Sequence, residues 1–134
     1  MLNMRKIKTP KLNHIAIKVK DLEATKEFYQ DVLGLKIQEE RPGKSIMFKD
    51  DYGGIIGCIL SEKVSINGID HFGFTFLDSK SFEEYKEKLK QELNKRGIPY
   101  EEKEHHDGSK SLFFNEINGY KIQIVYLPPY YFKG

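Results

Sequence analysis

The chain repeats one pattern of strand, turn and helix, and this repeat limits the folds it can adopt more than any other feature. One copy starts at His14 in HIAIKVKDLEATKEFYQDVLGL, and the other starts at His71 in HFGFTFLDSKSFEEYKEKLKQEL. In each copy the bulky apolar residues alternate along the strand, so they lie on one face of a sheet and the histidine lies on the other. We therefore expect two halves that fold alike, with each histidine facing away from the helix of its own half.

A helix is predicted after each of these strands. In the first copy Asp21 is the expected N-cap, and Gly34 ends the run of helical spacing. In the second copy Ser81 and Glu84 are expected to form a capping box, and the helix ends before Gly97. The predicted apolar stripes consist of Leu22, Thr25, Tyr29 and Val32 in the first helix and of Phe82, Tyr85, Leu89 and Leu93 in the second.

Three short strands are predicted after each helix. Turn-forming residues in RPGK, DDYGG, HHDG and EINGY separate them. Their approximate ranges are 35–40, 44–49 and 55–61 in the first copy, and 99–104, 110–115 and 120–127 in the second. We therefore predict an α+β fold of two β-α-β-β-β modules, at about 11–62 and 67–128, within a single domain that covers residues 1–134.

The amino-acid composition disfavours nucleic-acid and membrane partners. The chain has 22 Lys and Arg against 20 Asp and Glu, a formal net charge of +2, and these charges are dispersed along the sequence. Nucleic-acid binding requires clustered Lys and Arg, so we expect no nucleic-acid partner. No apolar run has the length of a signal peptide or a membrane span, and the single cysteine, Cys58, cannot form an intrachain disulfide. We therefore expect a cytoplasmic protein with no membrane partner.

Three segments resemble the vicinal oxygen chelate superfamily, namely LNHIAIKVKDLEATKEFYQDVLGLKI, IDHFGFTF and SKSLFFNEINGYKIQIVY, over about residues 11–127. This superfamily includes glyoxalase I, bleomycin-resistance proteins, fosfomycin-resistance enzymes, methylmalonyl-CoA epimerase and extradiol dioxygenases. The resemblance implies that the sheets of the paired modules form a cup-shaped, partly closed sheet around a divalent metal ion. It also implies a homodimer, and the cup is completed either within one chain or across the dimer.

The resemblance further implies a set of metal ligands. A histidine on the first strand of each module supplies a ligand, and these positions are His14 and His71. Another ligand, usually glutamate, comes from the last strand of the second module, where this chain has Gln123. We therefore predict a divalent ion (zinc, nickel, iron or manganese) bound by His14, His71 and Gln123, since imidazole suits these metals and an amide oxygen can coordinate them. For Gln123 the alternative is that it marks the place of a lost ligand.

Gln123, at a position usually occupied by glutamate, also restricts the reactions that the protein could catalyse. An amide cannot take up a proton as a general base, so Gln123 disfavours the glyoxalase I (lactoylglutathione lyase) reaction, which moves a proton between adjacent carbons. We expect an enzyme of the lyase, isomerase, transferase or dioxygenase type that acts on a small substrate through metal-chelated vicinal oxygens. The alternative is a metal-free protein of the bleomycin-resistance type that binds and sequesters a small compound.

A cysteine and two adjacent histidines can each be interpreted in two ways. Cys58, aligned with Gln123 in the first module, is either a soft metal ligand or a small core residue. His105 and His106 lie beside Asp107 in a predicted turn, and they are either an acid–base group near the pocket or part of a solvated turn. The aromatic segment LPPYYFKG is expected to pack on the body of the protein or on a partner subunit.

Overall fold

A computed structural model describes residues 12–67, 69–105 and 108–127, and its elements follow the predicted order. The first module consists of β1 (His14–Val19), α1 (Leu22–Glu27), β2 (Lys36–Arg41), β3 (Ser45–Lys49) and β4 (Ile55–Leu60). The second consists of β5 (Phe72–Phe76), α2 (Ser79–Lys95), β6 (Tyr100–Glu104), β7 (Lys110–Asn115) and β8 (Lys121–Tyr126). The predicted pair of β-α-β-β-β modules is confirmed. The interpretations of His106, Asp107 and the segment from residue 128 onward fall outside the described residues.

Each module forms its own four-stranded sheet. The strand order is β1-β4-β3-β2 in the first sheet and β5-β8-β7-β6 in the second. β1 pairs with β4, and β5 with β8, in parallel, while the other pairs are antiparallel. β1 and β5 are therefore edge strands, and the described sheets are not closed into one continuous cup. Neither described helix has the length and apolar character needed to cross a membrane.

The helix of the first module begins where it was predicted. The Asp21 carboxylate accepts a hydrogen bond from the backbone amide of the third helical residue at 3.0 Å, which confirms Asp21 as the N-cap. After α1 the chain continues as a π-helical turn over Phe28–Val32. Gly34, with a φ of 78°, then takes the left-handed conformation that commonly ends a helix.

The helix of the second module begins earlier than predicted, and the capping box of Ser81 and Glu84 is wrong. α2 starts at Ser79, and its N-cap is Asp78, whose carboxylate accepts hydrogen bonds from Ser81 N at 2.7 Å and Ser81 Oγ at 2.9 Å. Aspartate caps a helix about as well as serine does, and here it satisfies the amide of the third helical residue. The buried residues of α2 all belong to the predicted stripe: Phe82, Leu89 and Leu93.

Both modules contribute to one hydrophobic core. The ring of Phe28, in the π-helical turn, lies 6.4 Å from the ring of Phe114 on β7. The Tyr85 hydroxyl of α2 donates a hydrogen bond to the backbone oxygen of Leu33 at 2.6 Å. The helix-covered faces of the two sheets therefore point toward the shared core, and the opposite faces, which carry His14 and His71, point away from it.

A buried carboxylate connects the two modules. Glu116, in the turn between β7 and β8, is 3% exposed and accepts hydrogen bonds from the Tyr29 hydroxyl at 3.0 Å, Tyr120 N at 3.1 Å and Asn118 Nδ2 at 2.9 Å. Asn118 Nδ2 also lies 3.2 Å from Thr25 Oγ1. Desolvation raises the pKa of Glu116 above its ordinary value, and the hydrogen bonds offset only part of this effect.

We expect Glu116→Gln to remove a pH-dependent contribution to stability. Because the pKa of Glu116 is raised in the folded state, this contribution is fully present below the ordinary pKa of 4.5 and is lost as the pH rises through the folded-state pKa. Relative to the variant, the wild type should therefore lose free energy of unfolding as the pH rises from about 4 to 7. Urea denaturation across this range measures the difference, with the exposed Glu104→Gln as a matched control. Parallel curves for wild type and Glu116→Gln would contradict the assignment.

Candidate metal centre

His14 and His71 occupy equivalent positions in the two modules. His14 is the first residue of β1, and His71 directly precedes β5. Both side chains are exposed on the faces that point away from the core. Each ring makes the same local hydrogen bond, since His14 Nδ1 lies 2.8 Å from Asn13 Oδ1 and His71 Nδ1 lies 2.5 Å from Asp70 Oδ2.

These hydrogen bonds make Nε2 of each ring available for a metal ion. An oxygen acceptor beside Nδ1 favours the tautomer that carries its proton on Nδ1, so the lone pair is on Nε2. Metal-binding histidines usually donate their second ring N–H to a carboxylate or carbonyl oxygen in this way. The hydrogen bond with His71 also lowers the pKa of the Asp70 carboxyl below its ordinary value. Asn13 and Asp70 were not among the predicted site residues, although an oxygen-bearing side chain directly precedes each histidine in the sequence.

Gln123 lies on the same face of the second sheet as His71. It pairs in register with Gly73, which is two residues after His71, and a Cβ at Gly73 would come within 2.9 Å of Gln123 O. Gln123 Nε2 donates a hydrogen bond to Ser111 Oγ at 2.9 Å, and this hydroxyl lies 3.2 Å from His105 Nε2. Because the amide nitrogen faces Ser111, the amide oxygen is the donor atom that Gln123 offers to a cation.

The structure brings the predicted ligands together only in part. His71 and Gln123 lie at adjacent strands of the second sheet, whereas His14 lies on the first sheet. Over residues 12–67, 69–105 and 108–127, no group of three or more His, Cys, Asp or Glu side chains is placed to hold a metal. Two imidazole nitrogens and an amide oxygen are nevertheless suitable donors for zinc, nickel, iron or manganese.

Of the two interpretations of Cys58, a metal ligand or a small core residue, the structure favours the core residue. It is fully buried, and burial together with a nearby carboxylate raises the pKa of its thiol to about 12, which disfavours the metal-binding thiolate. The predicted equivalence of Cys58 in the first module and Gln123 in the second is wrong by one residue. Ala16 pairs with Gly57 in the first module as Gly73 pairs with Gln123 in the second. Glycine therefore occupies the equivalent position, and it offers no side-chain ligand.

A cleft of about 680 Å³ lies along β5, and its lining does not include His14, His71 or Gln123. This volume is in the range of pockets that bind small molecules. Gly73, which pairs with Gln123, contributes to its wall, but Phe74 and Phe76 belong to the helix-covered face of β5, opposite the face of Gln123. The lining is mainly apolar, and its apolar side chains include Leu33, Leu35, Phe74, Phe76 and Leu77.

The chain belongs to the glyoxalase/bleomycin resistance protein/dioxygenase superfamily, whose family model matches residues 11–124. Solved structures with a similar fold include a lactoylglutathione lyase from Agrobacterium tumefaciens, with 23% sequence identity, a TM-score of 0.70 and coverage of 89% of this chain and 96% of that one. A glyoxalase/bleomycin resistance protein/dioxygenase from Alicyclobacillus acidocaldarius is 27% identical, with a TM-score of 0.67 and coverage of 87% and 90%. A fosfomycin resistance protein from Listeria monocytogenes is 20% identical, with a TM-score of 0.70 and coverage of 90% and 96%. The resemblance found in the sequence is confirmed for family and fold.

Proposed function

We propose that the protein is a metal-dependent enzyme that acts on a small substrate whose vicinal oxygens bind a divalent ion held by His14, His71 and Gln123. The observation that best supports this is the repeated hydrogen bond at Nδ1 of the two histidines, because it prepares both Nε2 atoms as ligands. Gln123 would bind the ion through its amide oxygen and add no charge. The bound ion would supply Lewis acidity that stabilises negative charge developing on a substrate oxygen.

Two copies of the chain complete this proposed site. The histidine faces of both sheets point away from the core of one chain, so His14 of one copy would share an ion with His71 of a second copy. The edge strands β1 and β5 lie at these histidines, and edge strands are the parts of a sheet that can associate with a partner. A dimer with two-fold symmetry would contain two equivalent sites.

The proposed ligands restrict the reaction. Gln123 can hold an ion or donate a hydrogen bond, but it cannot remove a proton from the substrate. Lactoylglutathione lyase activity, which depends on such a proton transfer, is therefore disfavoured in this chain. The proposed class is lyase, isomerase, transferase or dioxygenase chemistry in which Gln123 serves only as a neutral ligand.

The first test is the metal content and assembly of the protein purified without chelators. We expect about one divalent ion per chain and a dimer, because each two-fold dimer would hold two sites. Elemental analysis after incubation with zinc, nickel, iron(II) or manganese measures the first quantity, and sedimentation at micromolar concentration measures the second. A monomer under these conditions would contradict the shared site.

A metal-free binding protein is the second candidate, and the apolar lining of the 680 Å³ cleft favours it. Such a protein would hold an apolar or aromatic compound through burial of that compound, without chemistry at the histidines. Failure to bind any of the four metals, combined with binding of aromatic compounds, would support this candidate over the enzyme.

A further inference from the structure

We propose that the substrate is a small organic anion, whose charged group binds Lys121 and Lys103 and whose flat apolar part lies against Phe113. This inference rests on the proposed function, because it assigns a substrate class to the same site. It follows from the charges that the strand register places on the histidine faces of the two sheets.

Basic residues predominate on the two histidine faces. Strand register places six basic residues and two acidic residues there: Lys18, Lys36, Arg41, Lys49, Lys103 and Lys121 against Glu39 and Glu101. Glutamates on the opposite faces are instead paired with helix lysines, as Glu40 is with Lys26 and Glu102 is with Lys90. The small net charge of the whole chain therefore conceals a separation of charge between the two sides of each sheet.

Only part of this positive charge is neutralised by neighbouring side chains. Three of the basic groups have carboxylate partners: Lys36 with Asp51 at 2.8 Å, Arg41 with Glu39 at 2.8 Å, and Lys103 with Glu101 at 3.6 Å. In the part of the chain that the structure describes, the other three form no direct ion pair: Lys18, Lys49 and Lys121. Of these, Lys121 lies close enough to the Asp70 carboxyl to help lower its pKa, so the charge of Lys121 is partly offset. A site with unpaired cations attracts anionic ligands and raises their local concentration.

Phe113 provides an apolar surface among these cations. The centroid of its ring lies 5.0 Å from Lys121 Nζ and 5.9 Å from Lys103 Nζ, and the ring of His71 lies nearly perpendicular at 6.0 Å. Phe113 also pairs in register with Gln123. The attraction between the ammonium groups and the aromatic ring keeps both charges beside the proposed metal ligands. A carboxylate or phosphonate bound there would place its attached group within reach of the same site.

Phenylphosphonate and the neutral benzyl alcohol are suitable probes for this subsite. We expect the wild-type chain to bind phenylphosphonate at least about ten-fold more tightly than benzyl alcohol, because only the anion attracts the lysines. Lys121→Gln should weaken phenylphosphonate binding by about five-fold and leave benzyl alcohol unaffected. Phe113→Leu should weaken both. Calorimetric titration measures these affinities, and the exposed Lys88→Gln on α2 is the matched control for the lost charge.

The titrations are run on the full chain in EDTA and again after loading with manganese. Phenylphosphonate binding in EDTA that depends on Lys121 supports the anion subsite, whether or not the protein binds a metal. Binding that requires manganese and responds equally to Lys121→Gln and Lys88→Gln overturns the subsite while leaving the metal centre in place. Equal affinities for phenylphosphonate and benzyl alcohol in both conditions also overturn it.

Discussion

His71→Ala and His14→Ala should each weaken binding of a divalent ion by about 100-fold or more, since loss of a ligand exceeds the 10- to 100-fold effect of losing an outer hydrogen-bond partner. Both side chains are exposed, so truncation removes little packing and leaves no internal cavity. The free energy of unfolding without metal should therefore change by less than about 0.5 kcal/mol in His14→Ala, and by about 1 kcal/mol in His71→Ala, because the ring of His71 also contacts Phe113. Competition titration against a coloured chelator measures the affinity, and thermal unfolding in EDTA checks the fold.

The two histidine variants serve as controls for each other. Because the proposed ion binds both rings, the two losses should be similar in size and should apply to the same metals. Wild-type affinity in either variant would remove that histidine from the site. A loss in His71→Ala alone would leave a centre formed by the second sheet without His14.

Gln123→Glu should bind zinc, nickel or manganese more tightly than the wild type, by about ten-fold or more, because a carboxylate attracts a cation strongly at coordination distance. The substitution keeps the shape of the side chain, and the Ser111 hydroxyl that now accepts a hydrogen bond can donate one to the carboxylate. Without metal, the partly desolvated charge should lower stability or raise its own pKa. The increase in melting temperature on adding metal should therefore be larger in the variant than in the wild type.

Gln91→Glu provides a matched control, since it makes the same change of charge at an exposed position on α2. Its metal response should equal that of the wild type. If Gln123→Glu also responds like the wild type, Gln123 lies outside the site, and the proposed ligand set is wrong.

Much of the fold could be predicted because its signals are local. Alternation in β1 and β5 and the helical spacing of Phe82, Leu89 and Leu93 are properties of short segments. The start of α2 was predicted wrongly because two nearby residues compete for the N-cap position. Asp78 and Ser81 can both cap a helix, and the carboxylate of Asp78 reaches the backbone amide of Ser81.

The candidate site was less accessible from the sequence because it depends on register and on distant contacts. A shift of one residue in a strand moves a side chain to the opposite face, and this is why Cys58 was aligned where Gly57 lies. The hydrogen bond between Tyr29 and Glu116 joins residues that are 87 positions apart, and no local pattern indicates it. The cationic histidine faces likewise emerge only when the strands are placed side by side.

Mixing His14→Ala with His71→Ala tests the shared metal centre most directly. Neither variant alone has a complete site, but a dimer with one copy of each has one site in which both histidines are intact. After subunit exchange between equal amounts of the two variants we expect recovery of about a quarter of the wild-type metal content, because half of the dimers are mixed and each mixed dimer has one complete site of two. Two different affinity tags, purified in sequence, verify that mixed dimers have formed. Mixed dimers that bind no more metal than the separate variants would contradict the account.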